Sequence, residues 1–351
     1  MKIGVFDFFS GCGGTSAGLQ AAGMEIVLGI DVDPDAGATF RWNFPQAHFL
    51  RADLTRLRPG RIKKLVEERR DGPILFCGCA PCQPFSKQCP RRNMAKDERV
   101  PLLSHFGRFV RYFKPEFVLV ENVPGLQDIS RDPGPLPKFL NLLTGLGYHF
   151  ATNTVDCRDY GVPQKRRRLV LLGSRLGNID LPAKTHGTDS GLAAFSTVGQ
   201  WISELPPIEA GEDCPLVLNH RAAMLSPLNL RRINATPPGG TRLDWPKELA
   251  LACHSRHSGH TDVYGRLRMD QPASALTTRC ISLSNGRFGH PVQNRALSVR
   301  EAASLQTFSR DFRFFGNLNS MARQIGNAVP TLLAKCLAEP FIRCAESYYT
   351  E

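Results

Sequence analysis

Ile3-Gly4-Val5-Phe6-Asp7-Phe8-Phe9-Ser10-Gly11-Cys12-Gly13-Gly14-Thr15 is the stretch that decides the fold. An apolar run of strand length drives straight into a glycine-rich turn, and helical spacing follows over 16–22. Glycines at such a turn let backbone approach a ligand and let the helix pack close to the strand. The pattern repeats outward. Residues 25–30, 73–77, 117–121 and 168–173 read as buried strands, 47–50 is a shorter apolar stretch, and Leu102–Phe113 has helical spacing. Alternation of this kind predicts an α/β fold with a mostly parallel sheet and helices on both faces.

The turn suggests a nucleotide-type ligand. Asp31 ends the second strand, where an acid can hold ribose hydroxyls, and Asp53 follows the third apolar stretch, where it could meet an adenine amino group. The motif is not G-x-G-x-x-G, because Ala17 and Gly18 stand inside the helix. An adenosine ligand without a pyrophosphate therefore fits better than NAD, while a purely structural tight turn stays open.

A second stretch, Gly78-Cys79-Ala80-Pro81-Cys82-Gln83-Pro84-Phe85-Ser86, follows the strand at 73–77. A thiol on a proline-bracketed turn above a parallel sheet sits at the edge where such sheets bind ligands. Cys77, Cys79 and Cys82 lack a second nearby Cys or His pair to close a tetrahedral site, so no metal is expected, and Cys77 and Cys79 read as packed thiols. The next strand ends in Glu121-Asn122-Val123-Pro124-Gly125. A Glu after four apolar residues is partly desolvated, which suits proton donation, although a turn-capping Glu is the plainer alternative.

Five motifs together resemble the ordered motifs of the cytosine-5 DNA methyltransferases: Phe9 to Gly14, Pro81-Cys82-Gln83, Glu121-Asn122-Val123, Gln164-Lys165-Arg166-Arg167-Arg168, and Gln324-Ile325-Gly326-Asn327-Ala328-Val329-Pro330. Their order and spacing match over 3–340. The resemblance implies a Rossmann-like methyltransferase domain with a smaller, loop-rich target-recognition domain. It implies an enzyme of the prokaryotic restriction-modification type that methylates C5 of a flipped-out cytosine in a specific duplex DNA sequence, with S-adenosylmethionine as cofactor. Cys82 would add to C6, Glu121 would act as the acid, and Arg166 and Arg168 would hold the base and the carboxylate. Phe9, Ser10, Gly11, Gly13, Gly14, Asp31, Val32, Asp53, Leu54, Pro81, Leu102, Asn327 and Ala328 would line the cofactor site. Cys79 stands where many relatives have Gly, and Val32 where an aromatic often covers the adenine. Methylation of tRNA by the same chemistry, or a catalytically silent DNA-binding module, are the rivals.

Charge supports a polyanion partner. The 351 residues carry 44 Lys and Arg against 32 Asp and Glu, a net of +12, and only eleven of the basic residues are Lys. Arginine offers a planar fork of donors for phosphate and base edges, although a solvated basic surface would give the same count. The excess falls mostly in 1–179, at +9, against +2 in 180–295 and +1 in 296–351. Residues 87–96 read as a polar, basic loop, for which simple solvation is the plainer alternative, and the resemblance implies that it closes over DNA. Gln83, Ser86, Lys87, Arg91, Arg92, Arg279 and Arg287 are the expected DNA contacts, and 264–268, with Arg266 and Arg268, also suits base and phosphate contacts.

Texture sets the domain boundaries. From about 178, Pro-Pro and Gly-Gly pairs replace periodic structure, and order returns at the capping box Ser298-Val299-Arg300-Glu301, with a last helix from Thr331 to about Glu346. The expected arrangement is a catalytic and cofactor-binding domain at 1–179, a target-recognition domain at 180–295 and a return segment at 296–351. Cys253 and His254, His257 and His260 do not have a zinc spacing and read as loop residues near DNA. No apolar run approaches membrane-span length, Asp7 interrupts any signal-peptide pattern, and the odd count of 11 cysteines suits a reducing compartment. A cytoplasmic, nucleoid-associated monomer beside a separate cognate restriction endonuclease is the expectation.

Overall fold

The computed structural model describes residues 2–80, 102–124, 134–251 and 261–350. In chain order its main elements begin with β1 (Gly4–Phe8), α1 (Gly14–Ala21), β2 (Glu25–Asp31), α2 (Pro34–Asn43), β3 (His48–Arg51), α3 (Lys63–Glu68) and β4 (Ile74–Gly78). They continue with α4 (Leu102–Phe113), β5 (Phe117–Asn122), α5 (Pro135–Gly145), β6 (His149–Asp156), β7 (Gln164–Lys165) and β8 (Arg167–Ser174). The remainder is α6 (Val198–Ile202), α7 (Pro227–Asn234), β9 (Ala273–Ser274), α8 (Val299–Leu305), α9 (Leu318–Asn327) and α10 (Thr331–Thr350).

The chain forms two compact units. The first comprises Met1–Asp156, Arg167–Lys184 and Val329–Glu351, and the second Cys157–Arg166 and Thr185–Ala328. Unit 1 is built on a seven-stranded sheet of order β3-β2-β1-β4-β5-β8-β6. The first five strands pair in parallel, and β8 runs antiparallel to both β5 and β6. Strand order reverses at β1, so the ends of β1 and β4 flank the crevice where open α/β sheets take ligands. Periodicity does not announce β6, because it is an edge strand with an alternating, largely solvent-facing sequence.

Burial explains why the apolar runs become strands. Every residue of β1, β4 and β5 is buried. Phe8 lies within 5.0–5.3 Å of the rings of Phe76, Phe106 and Phe109, in tilted and edge-on arrangements. Such pairs add roughly 0.5–1.5 kcal/mol each beyond the area they bury. Gly18, in the interior of α1, admits the backbone of α10: a Cβ there would lie 2.2 Å from the Thr331 carbonyl oxygen. That close approach explains a glycine inside a helix.

Unit 2 has little regular structure. Its only strand pairing among the described residues, apart from isolated bridges, is the two-residue β7–β9 ladder. A small core gathers Ile233, Trp245, Leu249, Tyr264, Leu283 and Ala296, with the Arg232 guanidinium over the Trp245 and Tyr264 rings. The unit extends to Ala328, past the boundary at 295 expected from texture, and it also takes in 157–166. The physical reason lies in α8, all of whose residues are buried. Arg300 donates to the carbonyl oxygens of Leu218, Ser309 and Phe312, and Glu301 pairs with Arg295, so 296–328 is tied into this unit.

Candidate active site

The turn after β1 forms a cradle. Phe9 has φ +62, uncommon for an aromatic residue, and Gly11 and Gly13 have φ +53 and +97. The Asp31 carboxylate fixes this backbone from β2: Oδ2 accepts from the Gly11 N–H at 2.8 Å and Oδ1 from the Asp33 N–H at 2.9 Å. Burial pushes the Asp31 carboxyl up, against the pull of those backbone donors. The Ser10 hydroxyl is buried with no partner among the described residues, and the position a Gly11 Cβ would take is open space. Of the other expected cofactor residues in unit 1, Gly14 starts α1, Val32 is exposed, Asp53 caps the Thr55 backbone, Leu54 is buried, and Leu102 starts α4.

The acid and its cation lie on β5 and β8. Glu121, near the end of β5, is 6% exposed, and Arg168 on β8 places Nε 2.7 Å from its Oε1. The contact is one of charge: Oε1 accepts no aligned hydrogen bond among the described residues. The next residue, Asn122, donates from Nδ2 to the Ala80 carbonyl at 3.2 Å, which ties β5 to the chain immediately before Pro81 and Cys82. Motif reading gave Asn122 no task. Cys79 sits 3.6 Å from the Thr15 hydroxyl, and burial, aided by Glu121 and Asp7, pushes its thiol well up. Cys77 is raised likewise by burial. Both are therefore neutral thiols and poor nucleophiles.

Unit 2 holds the remaining residues. Asn327 ends α9 and is exposed, and the carbonyl of Ala328 accepts from Arg166 and from Gln306. Arg166 is buried and also donates to the carbonyls of Leu276 and Gly326, at 2.9 and 3.0 Å. Its Nη donors are thus engaged by backbone where the motif suggested a grip on a base, and Arg168 is the guanidinium beside Glu121. Arg287 likewise turns inward, onto Asp262 and the carbonyls of Gly239, Gly240 and Arg266. Arg279 is exposed. Pro81, Cys82, Gln83, Ser86, Lys87, Arg91, Arg92 and the Cys253–His254–His257–His260 group lie outside the described residues.

The sequence profile of the C-5 cytosine-specific DNA methylases matches residues 3–343. The chain is 37% identical to the Type II methylase M.HgiDII of Herpetosiphon aurantiacus, covering 98% of this chain and 96% of that protein. It is 34% identical to the Type II methyltransferase M1.HphI of Haemophilus parahaemolyticus, covering 98% and 87%. A crystal structure described as a DNA modification methyltransferase encoded within an E. coli prophage superposes with TM-score 0.76 at 25% identity, over 97% of this chain and 99% of that one. The S. pombe Dnmt2 methyltransferase shares the fold, with TM-score 0.65 at 16% identity over the whole of both chains. The chain belongs to the C-5 cytosine-specific DNA methylases and is a DNA cytosine-5 methyltransferase of the restriction-modification type. Enzymes of this family take their methyl group from S-adenosylmethionine. The unpartnered Ser10 hydroxyl, the space over Gly11 and the Asp31 carboxylate fit its polar adenosine and amino-acid parts. No helix among the described residues is long and apolar enough to cross a membrane.

Proposed function

We propose that the protein methylates C5 of a cytosine flipped out of a specific duplex DNA sequence, through a covalent adduct at C6. The observation that carries this reading is the buried Glu121–Arg168 pair, next in sequence to the Asn122 that bonds Ala80, two residues before Cys82. Pyrimidine C5 is a poor nucleophile. Addition of the Cys82 thiolate to C6 turns the ring into an enamine, with electron density at C5. Glu121, buried and with its Oε1 set against Arg168, hydrogen-bonds the ring edge and supplies the proton as negative charge develops there. Phe9 to Gly14 and Asp31 would hold S-adenosylmethionine, which when bound would supply an electrophilic methyl group to C5. Loss of the C5 proton then expels Cys82. The target base must leave the helix for its C6 to be reached.

On this reading unit 2 is the DNA-recognition half. The protein works as a monomer on chromosomal DNA, beside a separately acting restriction endonuclease. The test is methyl transfer from tritiated S-adenosylmethionine to duplex DNA and, in parallel, to tRNA. DNA is labelled, and Cys82→Ala abolishes labelling while cofactor binding persists. Normal turnover by Cys82→Ala, or labelling confined to tRNA, refutes the reading.

A further inference from the structure

Among the described residues, unit 2 contains two Arg–Asp pairs of different construction. Arg287 turns Nε and Nη2 onto Asp262 and Nη1 onto three carbonyls, so it has no free donor edge. Arg268 donates from Nε to Asp270 Oδ1 at 3.0 Å and from Nη2 to Oδ2 at 2.8 Å. Asp270 thereby occupies the side edge of the fork. The end edge, Nη1 with the second Nη2 hydrogen, has no partner among the described residues. The two side chains are 57% and 62% exposed, and an ion pair so placed adds little to folding.

The stem of Arg268 is fixed as well. Gly239 has φ +72, and a Cβ there would lie 2.7 Å from Arg268 Cγ and 2.8 Å from Cδ. The arginine stem therefore lies across bare backbone. Beside it opens a hollow of about 350 Å³, walled by Arg268 and Asp270 themselves with Pro238, Met269, Pro291 and Val292. A long, largely exposed cationic side chain is thus held at stem and head beside a shallow recess, with two adjacent donors that have no partner among the described residues. Holding it in place removes much of the entropy cost of binding a planar acceptor pair.

We propose that Arg268 reads a guanine of the recognition sequence in the major groove, its end edge donating to O6 and N7, with Asp270 and Gly239 holding it in register. The assignment rests on the reading of unit 2 as the DNA-recognition half. Phosphate would accept from any exposed arginine, including the exposed Arg279. The clamped fork and free end edge instead match the paired acceptors of guanine.

Bisulfite sequencing of DNA from cells expressing the wild-type protein first gives the methylated sequence. Duplex oligonucleotides carrying it are then made with 7-deazaguanine at each guanine in turn, which removes N7. At one position the wild-type kcat/KM should fall roughly 10- to 100-fold. Arg268→Ala should show that loss on the unmodified duplex and no further loss at that 7-deazaguanine, while bisulfite sequencing shows other bases accepted there. Arg268→Lys, which keeps stem and charge, should relax the same position, and Asp270→Asn should relax it less. The assignment is overturned if no guanine N7 matters, or if the Arg268 variants slow all sequences alike and keep wild-type discrimination. A wild-type protein that methylates no DNA would instead refute the functional reading on which the assignment stands.

Discussion

The two units solve the problem of buried backbone in different ways. Unit 1 pairs its peptide groups within a seven-stranded sheet and can fill its interior with rings such as Phe6, Phe8, Phe76, Phe106 and Phe109. Unit 2 has almost no ladder, and its loops leave carbonyls that must find donors. Arginine supplies them. Arg166, Arg232, Arg266, Arg295 and Arg300, the five buried arginines among the described residues, all lie in unit 2. Arg266 directs its fork at the carbonyls of Ile233, Thr236, His290 and Gln293 and at the Asn294 side chain, with no carboxylate partner among the described residues. Burial lowers the Arg300 guanidinium to about 10, which still leaves it charged at neutral pH. A loop-rich fold can thus be knit by planar cations where a sheet fold is knit by its own hydrogen bonds.

The sharpest test of that contrast is Glu301→Gln. Arg295 makes two 2.7 Å contacts with Glu301, one from each Nη, and the Ser298 N–H adds a third at 2.8 Å. Burial pushes this carboxyl up, but the Arg295 fork outweighs it and holds the group below its ordinary range. Leaving Arg295 without its carboxylate should cost about 3–5 kcal/mol in urea unfolding. A loss under about 1 kcal/mol would break the comparison.

Unit 1 also buries polar groups, among them a carboxyl on its interior strand β1. Asp7 on β1 accepts from the Ser16 hydroxyl at 2.7 Å, while its Oδ1 is buried without a partner among the described residues. Burial pushes its carboxyl up to about 7. The folded protein therefore holds a proton that the unfolded chain releases near pH 4, so this residue's contribution falls as pH rises from about 4 to 7 and is level above that. Asp7→Asn should gain stability over wild type through that window, on the order of 4 kcal/mol at its limit. A difference that does not vary with pH would show that Asp7 is ionised in the fold.

A smaller loss follows from Phe8→Leu, which keeps the site apolar but removes three ring contacts. It should cost about 1–2 kcal/mol, and a neutral result would show that the ring geometry is incidental. The smallest effect belongs to Arg310→Ala. Its pair with Glu204 lies in unit 2 but is exposed on both sides, so roughly 0.5 kcal/mol or less is expected from thermal unfolding. A larger loss would mean that unit 2 draws on surface charge as well as on buried arginine.

The charge balance shows how far sequence order can mislead. Divided at 179 and 295, the excess belongs almost wholly to the first segment. Divided by the units as folded, unit 2 has 18 basic and 12 acidic residues, a net of +6, and unit 1 has the other +6. The shift comes from 157–166 and 296–328, which lie in unit 2 through contacts that no local pattern records. Several of those arginines are also turned inward, so formal charge overstates what DNA could meet.

Periodicity and motif order by themselves determined the β1–turn–α1 start, the strands at β2, β4, β5 and β8, the capping box at Ser298 and the family. Each of these rests on local physics: apolar runs bury, glycines turn, and a Ser with Glu three residues on caps a helix. Only the tertiary structure decided which arginines face the site and which hold the fold. Arg166 and Arg168 differ by two positions in one motif, yet the first bonds backbone carbonyls in unit 2 and the second meets Glu121 in unit 1. The same holds for Arg268 and Arg287: an aspartate takes the Nε–Nη2 edge of both, and the difference is that three carbonyls take Nη1 of Arg287 alone. A guanidinium bonds whatever acceptors the fold brings within reach, and those acceptors come from residues far away in the chain.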